Sequence, residues 1–194
     1  MSLRKQASVV VAALGCFTLI GCQQPGGMAQ GDEMAPPPRA AELDELETWV
    51  GSWTTDGEMI MYTPDGEQKG PAKGSGTTRW VCDKRAILSE MEFDMGEDGT
   101  MKGIELMTWD PKGKVYRSWW VDSYGSSAEG TMWKDKKTGE WISRGKGVNP
   151  DGASTSAKGT MKKIDDKTME WTFTEYDAWG FNKTMRITGT STMN

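Results

Sequence analysis

The apolar positions of this chain follow two periodicities, and the switch between them lies at Leu46–Trp53. Ahead of it, Ala41–Val50 carries Leu43, Leu46, Trp49 and Val50 at i, i+3 and i+6/i+7. That stripe predicts a short helix, and its early acidic residues suit the positive end of a helix dipole. Beyond Trp53 the period drops to two, in ten runs: Trp53–Thr63, Lys73–Cys82, Arg85–Asp94, Met101–Trp109, Lys114–Asp122, Ala128–Lys134, Glu140–Val148, Ser154–Ile164, Thr168–Tyr176 and Phe181–Thr190. Turn formers separate them, among them Asp65-Gly66, Asp98-Gly99, Pro111-Lys-Gly113, Lys137-Thr-Gly139, Pro150-Asp-Gly152 and Trp179-Gly180. Links this short predict antiparallel up-and-down connectivity, because parallel strands need long crossovers. Closing the sheet removes its exposed edges. The fold class is therefore read as all-β: an up-and-down antiparallel β-barrel of about ten strands with a short N-terminal helix.

Within the runs, alternate residues separate by polarity. Ile87, Ser89, Met91 and Phe93 oppose Leu88, Glu90, Glu92 and Asp94. Met169, Trp171 and Phe173 form a second such face, and Phe181, Met185 and Ile187 a third. Strands of this kind are half buried and half wet. Lys114–Asp122 is different: Val115, Arg117, Trp119 and Val121 share one face and Tyr116, Ser118 and Trp120 the other. Both faces hold large apolar groups, so the outer one is expected to be covered, with the opening helix as the candidate cover. Trp53, approached through Gly51, is expected to plug one end of the barrel.

The chain ahead of the helix is of another character. Residues 1–21 have a secretory layout: Arg4-Lys5, then an apolar stretch from Ala7 to Ile20, too short to span a bilayer comfortably. The stretch ends in Leu19-Ile20-Gly21-Cys22, which resembles a bacterial lipobox. The resemblance implies acylation of Cys22 and export to a membrane, the outer membrane in a diderm host. Residues 22–41 read as a lipidated Cys and a Pro/Gly-rich tether without a periodic apolar pattern, and residues 42–194 as the barrel domain.

Composition narrows the chemistry. The chain has 194 residues, a net charge of −5 and no histidine. Scattered basic residues on an acidic chain argue against nucleic acid. Without histidine there is no His-ligated zinc or haem and no Ser-His or Cys-His dyad. No metal site, cofactor or phosphate loop is read from the sequence. Cys82 is expected to be a buried, inert thiol.

Two stretches then carry a resemblance. Trp49-Val50-Gly51-Ser52-Trp53, and Thr108-Trp109-Asp110-Pro111 running on to Tyr116 and Trp119, resemble landmarks of the bacterial domain-of-unknown-function family 1579. Arg79–Arg85 looks like a further landmark, with Cys82-Asp83-Lys84-Arg85 where that family has a glycine-rich turn. The resemblance implies a calycin-like, lipocalin-like barrel, a fold whose members bind small apolar ligands in a central cavity.

Candidate site residues follow from chemistry. If the Arg117 face points inward, Arg117 with Trp119 suits a ligand carboxylate or phosphate. Tyr62 and Arg79 are secondary candidates. The strand methionines suit either an adaptable pocket or an ordinary core. The expected function is therefore a lipid-anchored envelope protein, held to the bilayer through Cys22, that binds a small hydrophobic or acidic ligand. The alternative is a structural or protein-interaction module of the envelope. Catalysis ranks last.

Overall fold

The computed structural model describes residues 36–96 and 99–194. A 3-10 helix, Ala41–Trp49, leads into eleven strands: β1 (Gly51–Thr63), β2 (Gly66–Pro71), β3 (Lys73–Val81), β4 (Ala86–Asp94), β5 (Thr100–Asp110), β6 (Val115–Asp122), β7 (Ser127–Lys134), β8 (Trp141–Val148), β9 (Ser154–Lys163), β10 (Thr168–Asp177) and β11 (Lys183–Met193). From β3 to β11 each strand is antiparallel to its neighbour in sequence, and β11 returns to pair with β1. The sheet is thus a closed up-and-down barrel, as the patterning implies.

One strand escapes the pattern. β2 (Gly66-Glu-Gln-Lys-Gly-Pro71) has no apolar residue to alternate, so nothing in its sequence marks it. It keeps the register of β3 against β1, with Glu58 opposite Pro71 and Thr55 opposite Gly74. β2 and β3 are therefore halves of one long strand, interrupted at the buried Ala72, whose N–H donates to the Gly57 carbonyl at 2.9 Å. The barrel keeps ten staves, one of them extended.

The helix has a tighter period than an α-helix. Three residues per turn stack Leu43, Leu46 and Trp49 on one edge. That edge lies against Ile87, Met107, Tyr116, Met132 and Trp141, all inward side chains at one end of the barrel. The helix is therefore a plug, and the expectation that it covers the outer face of β6 is corrected. Its binding is directional: the Tyr116 hydroxyl donates to the Glu42 carbonyl at 2.7 Å, the Trp80 indole to Glu47 at 2.7 Å, and the Trp53 indole to the Trp49 carbonyl at 2.8 Å. Edge-to-face rings continue the plug, with Tyr116 5.2 Å from Trp141 and Trp49 5.8 Å from Trp141 between centroids. Burial and the nearby Glu45 and Glu42 push the Tyr116 phenol far above its ordinary pKa, which keeps it a donor.

Aspartates organise the hairpins. The Asp110 carboxylate accepts the N–H groups of Lys112 and Gly113, Asp135 those of Lys137 and Thr138, and Asp177 that of Phe181. Asp122, Asp151 and Asp165 do the same at their own turns. The β3–β4 link is exceptional. Cys82, Asp83 and Lys84 all take positive φ (51°, 52° and 60°), a left-handed turn built without glycine. It is held by Arg39, whose Nε donates to the Lys84 carbonyl and whose guanidinium lies over the Trp80 ring, 5.0 Å from its centroid.

Candidate functional site

The barrel axis divides the inward side chains into layers. The strand register places Ile87, Met107, Tyr116, Met132 and Trp141 on the inner face beside the helix, with Met169 inward on β10, and all six are buried. This is the floor. One inward position further along each strand stand Ser89, Glu105, Ser118, Gly130, Ser143, Gly159 and Trp171. This second layer is small and polar, apart from Trp171. None of its members is fully buried, although strands surround it on every side. Its hydroxyls are linked to further inward groups: Thr78 to Ser89 at 2.8 Å and Thr55 to Ser191 at 2.7 Å, with the Trp171 indole donating to Ser191 at 2.9 Å.

Above that layer the wall is made of large side chains set opposite glycines. Phe93 faces Gly74 and Met91 faces Gly76. Phe173 faces Gly159 of the layer below it, and within that layer Trp171 faces Gly189. The Trp120 ring lies on Gly103 so closely that a Cβ there would stand 2.0 Å from it. A ring lying on a glycine keeps close to the wall. Among these upper inward positions, all but Gly103 and Thr155 remain partly accessible to solvent. Burial thus falls from the helix end towards the other end, as expected of a barrel stopped at one mouth and open at the other.

Glu105 is the charged group in the small layer. It lies on β5 with Ser89 opposite on β4 and Trp120 opposite on β6. Burial raises its pKa above the ordinary glutamate value, partly offset by a hydrogen bond from the Ser118 hydroxyl. Asp122 and Glu175 have the same inward parity nearer the open mouth. Asp122 accepts the Trp120 indole N–H at 3.1 Å, and Glu175 accepts the Thr184 hydroxyl at 2.7 Å. Among the described residues, no Lys or Arg shares the inner face with them above the floor. Lys134 and Lys163, inward at the closed end, pair with Glu45 and Asp166.

A folded-state pKa above the unfolded one has a signed consequence. Stability from Glu105 is complete below the unfolded carboxylate pKa and is lost as pH rises through the higher folded value. Glu105→Gln should remove this step, so the variant should gain on the wild type as pH rises from the acid side to neutrality. Urea midpoints across that range check it. Parallel curves for the two proteins would contradict the placement.

The structure relocates the residues singled out from the sequence. Arg117 and Trp119 lie on the outer face of β6, because Tyr116, Ser118 and Trp120 take the inner one. Arg117 is exposed, 3.8 Å from Glu129 and over the Trp119 ring, and Val121 on the same face is 53% exposed. The inward Arg117 expected for an acidic ligand is thus corrected. Arg79 also points outward, 3.9 Å from Glu90. Tyr62 lies on the hairpin extension under Lys183, away from the inner layers. Cys82, expected to be buried, is exposed in the left-handed turn. Phe181, expected on an inner face, is 83% exposed in the β10–β11 turn at the open mouth, beside Trp179 at 81%. Cys22 lies outside the described residues. Among the described residues no helix is long and apolar enough to cross a membrane, and no cluster of His, Cys, Asp and Glu is placed to hold a metal ion.

Glu105 is the site residue that the strand patterning did not bring forward. Its signal is present: Met101, Gly103, Glu105, Met107 and Trp109 alternate on β5, one acid among uncharged residues.

The comparisons agree with this architecture. A family model described as "Protein of unknown function (DUF1579)" matches residues 39–190. No curated protein matches the chain. The crystal structure of Rv2717c from M. tuberculosis is similar at 12% identity and a TM-score of 0.57, covering 81% of this chain and 99% of that one. An S-type phycobiliprotein lyase, CPES from Guillardia theta, is similar at 13% identity and a TM-score of 0.53, covering 80% of this chain and 94% of that one. At such identities the likeness is one of fold.

Proposed function

The chain belongs to the DUF1579 family of proteins of unknown function, and on that premise we propose that it is a lipid-anchored envelope protein whose barrel binds a small hydrophobic molecule without converting it. The observation that carries this reading is the burial gradient: a sealed floor, then inward positions such as Ser89, Ser118, Gly130, Ser143, Ala157 and Gly159 that are surrounded by strands yet partly accessible, although Thr78, Gly103 and Thr155 are buried. Aromatic and Met side chains laid against wall glycines offer apolar surface to whatever enters. A likeness in fold to a protein titled a phycobiliprotein lyase is compatible with a ligand-binding or carrier role. Binding without chemistry fits the inner face, where Glu105 is placed among hydroxyls and glycines with no histidine in the chain to share a proton.

The test fills the lumen. Ala157 is inward on β9, opposite Gly145 and Glu175, so a larger side chain there projects towards the barrel axis. The neutral fluorophore N-phenyl-1-naphthylamine, which brightens in apolar surroundings, should bind the wild type. Ala157→Trp should weaken that binding by about tenfold or more, since an occupied cavity cannot also solvate the probe. Equal binding by a folded Ala157→Trp variant would place the probe elsewhere and end the lumen reading.

The anchor is motivated by Leu19-Ile20-Gly21-Cys22 behind a charged and an apolar segment. Stable attachment takes more than one acyl chain. Cys22→Ser should move the protein from the membrane to the soluble fraction of its host, and continued sedimentation with membranes would count against acylation.

A further inference from the structure

The lumen has a chemical polarity as well as a shape. We infer that it selects hydrophobic molecules carrying a cationic or hydrogen-bond-donating head group, and that Glu105 receives that head just above the floor. The inference deepens the reading of the lumen as a ligand site and rests on it.

Three observations point this way. The first is position. Glu105 is one inward step from Met107, which belongs to the sealed floor, so a head group meeting the carboxylate would lie at the deep end of the cavity. The body of the ligand would then run towards the mouth along Trp120, Met91 and Phe93. The second is the company Glu105 keeps. Ser89 stands opposite it on β4, Ser118 lies on β6 and already donates to it, and the layer runs on from Ser118 through the small residues Gly130, Ser143 and Gly159 to Trp171. A carboxylate accepts through several lone pairs, so one serine leaves acceptor capacity unused. The third is the sign of the inner face. Glu105, Asp122 and Glu175 are inward, and among the described residues no base shares that face above the floor. An anionic head would meet only repulsion there. A carboxylate held in a low-dielectric site gains most from a charged or strongly donating partner. The raised pKa of Glu105 has the same origin as this demand: a carboxylate short of solvation and without a cation.

Competition between matched ligands tests the inference. The full chain is loaded with N-phenyl-1-naphthylamine at pH 8, and the probe is displaced with dodecylamine, dodecanol or dodecanoate. The three share one alkyl chain and differ only in the head. Dodecylamine should displace the probe about tenfold more effectively than dodecanol, the size of one charge-assisted hydrogen bond, and dodecanoate should be the weakest. Glu105→Gln should erase the advantage of the amine over the alcohol. Arg117→Ala, on the outer face, should leave the order unchanged. If the probe binds the wild type and not Ala157→Trp, yet dodecanoate matches or beats the amine, the lumen reading stands and the Glu105 inference falls. An amine preference that survives Glu105→Gln overturns it as well. If the probe does not bind the wild type, both fall together.

Discussion

Leu46→Ala should lower the unfolding free energy by about 3–5 kcal/mol, the range for deleting a fully buried leucine that leaves a cavity. Leu46 has 0% exposure and stands at the centre of the plug, with Leu43 one turn before it and Trp49 one turn after. Its neighbours have little freedom to close over the gap. Tyr116 is fixed by its bond to the Glu42 carbonyl, and the Tyr116 and Trp141 rings hold each other edge to face. The helix is an unusually long stretch of 3-10 geometry with no side-chain cap at its start, so intrinsic propensity contributes little to holding it. Packing against the barrel must hold it instead. Urea unfolding checks this: the midpoint should fall with little change in slope. A loss under about 1 kcal/mol would mean that the helix lies on the barrel without stopping it. The same variant bears on ligand binding, because a loosened floor admits water beneath Glu105.

The strands were legible because a half-buried strand has to alternate. The inner faces read for β4 (Ile87, Ser89, Met91, Phe93) and β10 (Met169, Trp171, Phe173) coincide with the inward positions of the barrel. Alternation failed at β6 because it ranks faces by polarity. Trp119 and Val121 on the outer face are as apolar as Tyr116 and Trp120 on the inner one, so the pattern carried no sign. What decides the direction there is a long-range contact, the Tyr116 hydroxyl bonded to the carbonyl of Glu42, and no local spacing encodes it. β2 was invisible for the opposite reason, since it has no apolar face and is a strand only because β1 continues past the end of β4 beside it. Glu105 and the wall glycines became a site only once the strands were laid in register. Gly74, Gly103 and Gly189 are the seats for Phe93, Trp120 and Trp171, a pairing that only the register shows.

Gly57→Ala should be a second severe change, for a reason that concerns the backbone. Gly57 on β1 lies directly opposite Gly189 on β11, at the seam where the barrel closes. A Cβ at Gly57 would stand 2.2 Å from the Thr188 carbonyl oxygen and 2.7 Å from the Gly189 Cα. Both are main-chain atoms of the partner strand, so no rotamer change relieves the clash and the two strands must separate. Separation strains the ladder on both sides of β1, because the Gly57 carbonyl also accepts the Ala72 N–H across the break between β2 and β3. Overpacking typically costs about 1–3 kcal/mol, and a backbone clash at a closing seam belongs at the upper end, about 3 kcal/mol. Gly130→Ala is the control. It is inward and lies in a ladder as well, but its Cβ would meet the Arg144 carbonyl and the Ser118 hydroxyl at 3.2 Å, distances a small shift can accommodate. Thermal unfolding should therefore rank Gly57→Ala well below Gly130→Ala. Amide hydrogen exchange should show the loss concentrated at Met59, Ile187 and their neighbours along the β1–β11 seam. If Gly57→Ala proves as mild as Gly130→Ala, the two strands do not approach so closely, and the barrel is less sharply closed there than the β1–β11 pairing implies.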